Sequence, residues 1–230
     1  MMKKFLTLFM SCLLLLSTFS VANADDIYDY IWAEYTDTWR IADTYDNGYS
    51  TRGDSWHLFH VSYPATEAGE TTGGSHSIAY GCEISGSISV PIKKIELQFG
   101  ISLSAESSFT ITHTSRPLAK GEYIKAYWRK YYNKNTILQV GFRTGIGSRI
   151  AENGQPEDEV LQLKDVACGT RTCEVWIALQ PQIRLEYYAP ETTQSVQSSQ
   201  DVYTEIYTYI DGEYVLTDSY TRTIESTDEY

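Results

Sequence analysis

Only a few groups of side chains in this 230-residue sequence have the types and spacing for bond-making chemistry. His57-Leu58-Phe59-His60 would bring two imidazoles to one helix face, where they could share a metal. On an extended strand, residues i and i+3 point to opposite faces, so the same pair cannot chelate. Asp54, Ser55 and His57 supply the residue types of a nucleophilic triad. A triad is recognised by geometry, however, and the sequence lacks the Gly-x-Ser-x-Gly turn that exposes such a serine. Asp43-Thr44-Tyr45-Asp46-Asn47-Gly48 and Glu152-Asn153-Gly154 with Glu157, Asp158 and Glu159 are rich in oxygen. Calcium takes six to eight oxygens, and neither run has EF-hand spacing. Gly145-Ile146-Gly147 lacks the full glycine pattern and the strand-to-helix setting of a nucleotide loop. These readings predict a protein that is not an enzyme and needs neither metal nor cofactor. A hydrolase whose carboxylates meet only in the fold is the enzymatic alternative.

The cysteines carry a second expectation. Cys168-Gly-Thr-Arg-Thr-Cys173 sets two thiols around four residues, between the apolar runs Val160–Leu163 and Glu174–Ile177. If those runs pair as a hairpin, the two face each other within disulfide reach. The alternative joins Cys82 to one of them, and either pairing leaves one thiol over. Three thiols with this spacing fall short of a four-ligand zinc site.

Charge supplies the third candidate. The whole chain carries −12, but residues 25–81 sum to −8, residues 82–150 to +6 and residues 151–230 to −12. Such an acidic chain is a poor match for nucleic acid. Within the basic middle, cations alternate with rings, and Lys125, Tyr127, Trp128, Arg129 and Lys130 are the candidate binding residues. Such a strip would meet an anionic membrane surface, an acidic wall polymer or a glycan. The competing reading is that basic strands lie beside acidic ones and pair across a sheet.

The elements that must position these residues read almost throughout with period two. Strands are expected at 55–63, 84–90, 101–112, 122–132, 136–143, 160–166, 174–180 and 182–188. Val202–Ile210 and Glu213–Thr221 flank Asp211-Gly212, the pair favoured by a type I′ hairpin turn. Helices are expected only at 29–42 and at 91–98, the latter behind Pro91 at a first-turn position. The fold class is therefore all-β, an antiparallel sandwich or elongated β-sheet domain with at most one or two short helices. Met1-Met2-Lys3-Lys4, the apolar run from Phe5 to Leu16 and Ala22-Asn23-Ala24 read as a signal peptide over residues 1–24. Residues 25–230 are then a single secreted, extracellular β-rich domain.

Ser85-Gly86-Ser87-Ile88-Ser89, Gly100–Ser108 and Lys120-Gly121-Glu122-Tyr123-Ile124-Lys125-Ala126-Tyr127 form an ordered set. Over residues 82–130 it resembles a group of exported β-rich proteins of Gram-positive bacteria. More distantly, it is similar to the insertion-hairpin region of aerolysin-like β-pore-forming proteins. That resemblance implies a segment that can rearrange into a membrane hairpin. Pro91, Lys93 and Lys94 shift the apolar residues from even to odd positions within it. The function expected first is non-catalytic contact with an extracellular surface, glycan or membrane, and pore formation is the alternative.

Overall fold

The computed structural model describes residues 30–151, 154–190 and 199–225. The leader expected at 1–24 and the Glu152-Asn153 pair lie outside them. The chain is all-β: eleven strands, antiparallel in their sheets, and one short helix among the described residues. In chain order they are β1 (Tyr30–Ser50), β2 (His57–Val61), β3 (Gly73–Gly81), β4 (Glu83–Gly86), α1 (Ile92–Phe99), β5 (Glu106–Thr114) and β6 (Tyr123–Arg129). There follow β7 (Tyr132–Ile150), β8 (Pro156–Ala178), β9 (Gln182–Tyr188), β10 (Ser199–Ile210) and β11 (Glu213–Glu225). The sheets run β1-β7-β8-β4, β11-β10-β9-β6-β2 and β3-β5. Two compact units result. Among the described residues the first takes 30–45, 85–95, 137–151 and 154–173, and the second takes 46–84, 96–136, 174–190 and 199–225.

In the first unit glycines set how closely two strands approach. A Cβ on Gly145 would run into the Glu34 carbonyl, and one on Gly147 would sit 2.8 Å from that of Ile31. At Gly141 a Cβ would meet the Trp39 ring at 2.9 Å. This close packing explains why, of the helix expected at 29–42, the described residues 30–42 are extended. Residues 30–42 belong to β1, and its rings lie on cations: Arg143 sits 3.7 Å over Tyr35 and Arg171 4.8 Å over Trp39. Arg143 also donates twice to Asp37, at 2.7 and 2.9 Å, which holds that carboxyl below its usual range. Tertiary contacts here override a weak helical pattern. The buried Gln139 amide accepts from the Ser89 and Val90 backbone and donates to the Ser87 carbonyl, tying down the chain after β4.

The second unit holds the larger core. Ile124 and Ala126 of β6 and Ile183, Leu185 and Tyr187 of β9 face Ile111 of β5, with Ala65 and Leu118 alongside. Tyr80, Ile78, Tyr132 and Trp176 form a neighbouring aromatic cluster. The expected hairpin is present, Ile210 opposite Glu213, with Asp211 and Gly212 both at positive φ (50° and 98°), and a bulge between Ile206 and Tyr207 shifts the register by one residue farther along. A helix also follows Pro91 as expected, burying Ile95.

The cysteine expectation is overturned. Residues 160–166 and 174–180 do not pair as a hairpin, because β8 runs unbroken from Pro156 to Ala178. Cys168 and Cys173 are five residues apart on one strand, about 17 Å at ~3.3 Å per residue. A disulfide requires Cα atoms within about 7 Å. Cys82, Cys168 and Cys173 are all free thiols, and burial pushes the Cys168 and Cys173 thiols above their usual range. Tryptic mapping without reduction should therefore find no linked cysteine peptides, with all three thiols alkylated after unfolding. A Cys168–Cys173 cross-link would contradict the continuous strand.

Candidate functional site

Alternation sorts the candidate strip onto two faces. In the second unit β6 lies between β9 and β2, with Tyr123 opposite Tyr188, Lys125 opposite Glu186, Tyr127 opposite Arg184 and Arg129 opposite Gln182. These eight residues point away from the Ile124–Leu185 core. Trp128 points into it, against both core clusters, and packs on His57 with ring centres 4.6 Å apart and the rings tilted by 31°. Lys130 lies past the end of β6. Its backbone N–H donates to Asp54 at 2.8 Å, and its Nζ is 6.0 Å from the Tyr80 ring. The structure thus brings Lys125, Tyr127 and Arg129 together and separates them from Trp128 and Lys130.

The outer face is a ladder of rings and cations. Tyr123 and Tyr188 stack at 4.9 Å, and the Lys125 Nζ sits 4.6 Å over Tyr188. The Arg184 guanidinium lies 4.3 Å over Tyr127 and 4.8 Å over Trp56. Arg129 covers the same Trp56 at 4.2 Å and donates from Nε to Gln182 at 2.8 Å. Such cation–ring contacts contribute about 0.5–2 kcal/mol each, more as water is excluded. Burial, and secondarily the like charge of Arg184, lower the Arg129 pKa.

Glu186 sits fully buried at the centre. It accepts from the Tyr188 hydroxyl at 2.8 Å and from Arg222 of β11 at 2.8 Å, and it forms an ion pair with Arg184 at 3.2 Å. Burial, then the bond to Glu186, push the Tyr188 phenol far above its usual range. The Arg184 Nε and the Thr204 hydroxyl, across from Glu186 on β10, are buried and make no hydrogen bond. Four cations (Lys125, Arg129, Arg184, Arg222) therefore share this face with Glu186 and with Asp218, which lies opposite Ile206.

Arg184, Glu186, Tyr188, Trp56 and Arg222 escaped the sequence reading. A signal for three of them was present, since Gln182-Ile183-Arg184-Leu185-Glu186-Tyr187-Tyr188 alternates polar and apolar, and the strand itself was expected at those residues.

The catalytic candidates fare differently. A bulge between Leu58 and His60 changes the register on β2, so His57 lies opposite Trp128 and His60 opposite Ala126, on one side of the sheet. The expectation that they point to opposite faces is therefore wrong. They still do not converge: His57 reaches Asp54 at 3.3 Å, whereas His60 packs on His113 at 5.0 Å. Asp43 and Asp46 accept from their neighbours' backbone, Thr44 and Gly48, at 2.8 Å each. Among the described residues no cluster of three or more His, Cys, Asp or Glu is placed to hold a metal. Comparison with known proteins finds no matching family model, curated protein or solved structure.

Proposed function

We propose that this is an exported, non-catalytic contact protein whose outer β6–β9 face holds an acidic glycan or wall polymer. The observation that carries this reading is the local excess of cations, interleaved with half-exposed rings, on a chain of net charge −12. Rings give a flat apolar surface for sugar C–H faces, and cations beside them attract carboxylate or phosphate groups.

The test neutralises Lys125→Gln and Arg129→Gln together. Reversal to Glu is avoided because a second carboxylate would then face buried Glu186. Affinity for an acidic polysaccharide should fall about tenfold at low salt, equivalent to 1.4 kcal/mol. The difference should shrink above about 0.5 M salt, where the screening length is only a few ångströms. Tyr127→Ala should weaken binding in a folded protein, whereas Trp128→Ala should cost about 3 kcal/mol of stability as a core-facing ring is lost. If neutralisation lowers stability and leaves binding unchanged, the strip only pairs within its own sheet. If the variants lose binding to anionic vesicles alone, the partner is lipid.

One observation favours an aerolysin-like, membrane-acting reading as the second choice. β1, β7 and β8 run 21, 19 and 23 residues, where strands of 3–10 are usual, and β1 is largely exposed. A membrane β-strand needs only about 9–11 residues. The 82–130 segment similar to insertion hairpins holds β4, α1, β5 and β6, with β5 paired to β3. Dye release from liposomes by the exported chain would favour this reading over the first.

A further inference from the structure

Sheet order leaves β11 at one end of the five-stranded sheet, with β10 on one side and no strand on the other among the described residues. The backbone N–H and C=O groups of that outer edge have no sheet partner, and such an edge is a template for another strand. β11 has 13 residues, where 3–10 are usual, and it holds no Pro, Gly or Lys to discourage pairing. Its residues 215–223 are all exposed. A bulge opposite Ile206 and Tyr207 interrupts the ladder at Thr217, and from Asp218 to Glu225 the pairing with β10 is regular.

That regular stretch is complementary to itself. Arg222, Tyr220 and Asp218 lie opposite Val202, Thr204 and Ile206, so they alternate along the outer face that carries Glu186. Asp218 and Arg222 are four residues apart, about 13 Å at ~3.3 Å per residue, too far to pair within one strand. Set antiparallel against its own copy about Tyr220, the strand puts Asp218 opposite Arg222 and Arg222 opposite Asp218. Ser219 then meets Thr221, and Tyr220 meets its counterpart. Opposite charges, hydroxyl pairs and aromatic pairs are the cross-strand combinations that stabilise a sheet. Centring the pairing on Asp218 or on Arg222 would oppose like charges, so the sequence selects one register. Arg222 spends its Nη2 on Glu186 and is 45% exposed, which leaves its other N–H groups for a second carboxylate.

We infer that the partner of this edge is a second copy of the chain, joined through β11 in a two-fold dimer. The axis passes through Tyr220 normal to the sheet, the self-matching contact that two-fold symmetry requires. Both outer β6–β9 faces then lie on the same side of one continuous ten-stranded sheet. One long polymer can engage both, which raises avidity without a new contact. The dimer itself does not depend on that ligand.

Sedimentation velocity of the exported chain should show a monomer–dimer equilibrium with a Kd of roughly tens of micromolar, as suits an interface at the small end of the range. Asp218→Lys opposes two like-charge pairs and should raise the Kd at least tenfold, with circular dichroism unchanged because the position is exposed. Tyr220→Cys should oxidise to a covalent dimer linked 220 to 220, since residues facing each other across strands lie within disulfide reach. Val215→Cys, equally exposed but about 33 Å from its counterpart in this register, should not. The proposal is overturned if the chain stays monomeric up to roughly 500 µM, an order of magnitude above that Kd. It is equally overturned if Asp218→Lys dimerises like the parent, or if Val215→Cys cross-links as readily as Tyr220→Cys.

Discussion

Replacing Glu186 by Gln is expected to cost the protein about 3–5 kcal/mol, the usual penalty for removing one member of a buried ion pair. Glu186 is fully buried, and the Arg184 side chain is only 13% exposed. Two of Arg184's surroundings are rings, and its Nε already lacks a hydrogen bond. Without the carboxylate its charge loses the ion pair with Glu186. Arg222, 45% exposed, can turn to water and contributes little to the loss. Urea unfolding followed by tryptophan fluorescence measures the effect. The double variant Arg184→Met, Glu186→Leu should recover most of it, because no buried charge is left behind. A loss below about 1 kcal/mol for Glu186→Gln would show that Arg184 finds another partner.

The second large effect is acid sensitivity. His60 of β2 and His113 of β5 pack at 5.0 Å, and Phe59 meets the His113 ring at 5.3 Å. Their buried nitrogens, the His60 Nε2 and both of His113, make no hydrogen bond of good geometry. Among the described residues His76 of β3 also faces the cluster, stacked on Phe59 at 5.5 Å, and β6 presents Ala126 opposite His60. Burial, and then the like charge of His60, push the His113 pKa from 6.5 down to about 4. The unfolded chain therefore binds more protons than the folded one between those values. Stability is complete above pH 6.5 and falls as pH drops toward 4, by about 2 kcal/mol at pH 5 relative to pH 7. His113→Phe should remove that part of the pH dependence while keeping the contact with Phe59. Equal pH slopes for parent and variant between pH 7 and 5 would refute the assignment.

Both effects sit in places that the sequence marks only faintly. His113 reads as a polar residue in an alternating strand, and its partner His60 is 53 positions away. Glu186 reads as one more surface acid on an acidic chain. What buries it is the β6–β9–β10 register, which sets Lys125, Thr204 and Arg222 around it from distant segments. The strip itself was legible as alternating rings and cations. Which of its members share a face followed from period two. The carboxylate they enclose did not.

The sequence alone determined what depends on near neighbours. Period-two alternation requires extended chain, Asp211-Gly212 requires a left-handed turn, and Pro91 with Ile92, Ile95 and Phe99 at helical spacing favours one short helix. Each is a local preference satisfied within about ten residues. The tertiary structure decided where strands begin, end and pair. Cys168-Gly169-Thr170-Arg171-Thr172-Cys173 has the look of a turn, yet it runs straight because β8 continues through it as an inner strand between β7 and β4. Residues 30–42 extend because the glycines of β7 let that backbone approach. A turn or a helix of a few residues gains only a few kcal/mol from its own sequence, and a long run of sheet hydrogen bonds and packed side chains outweighs it.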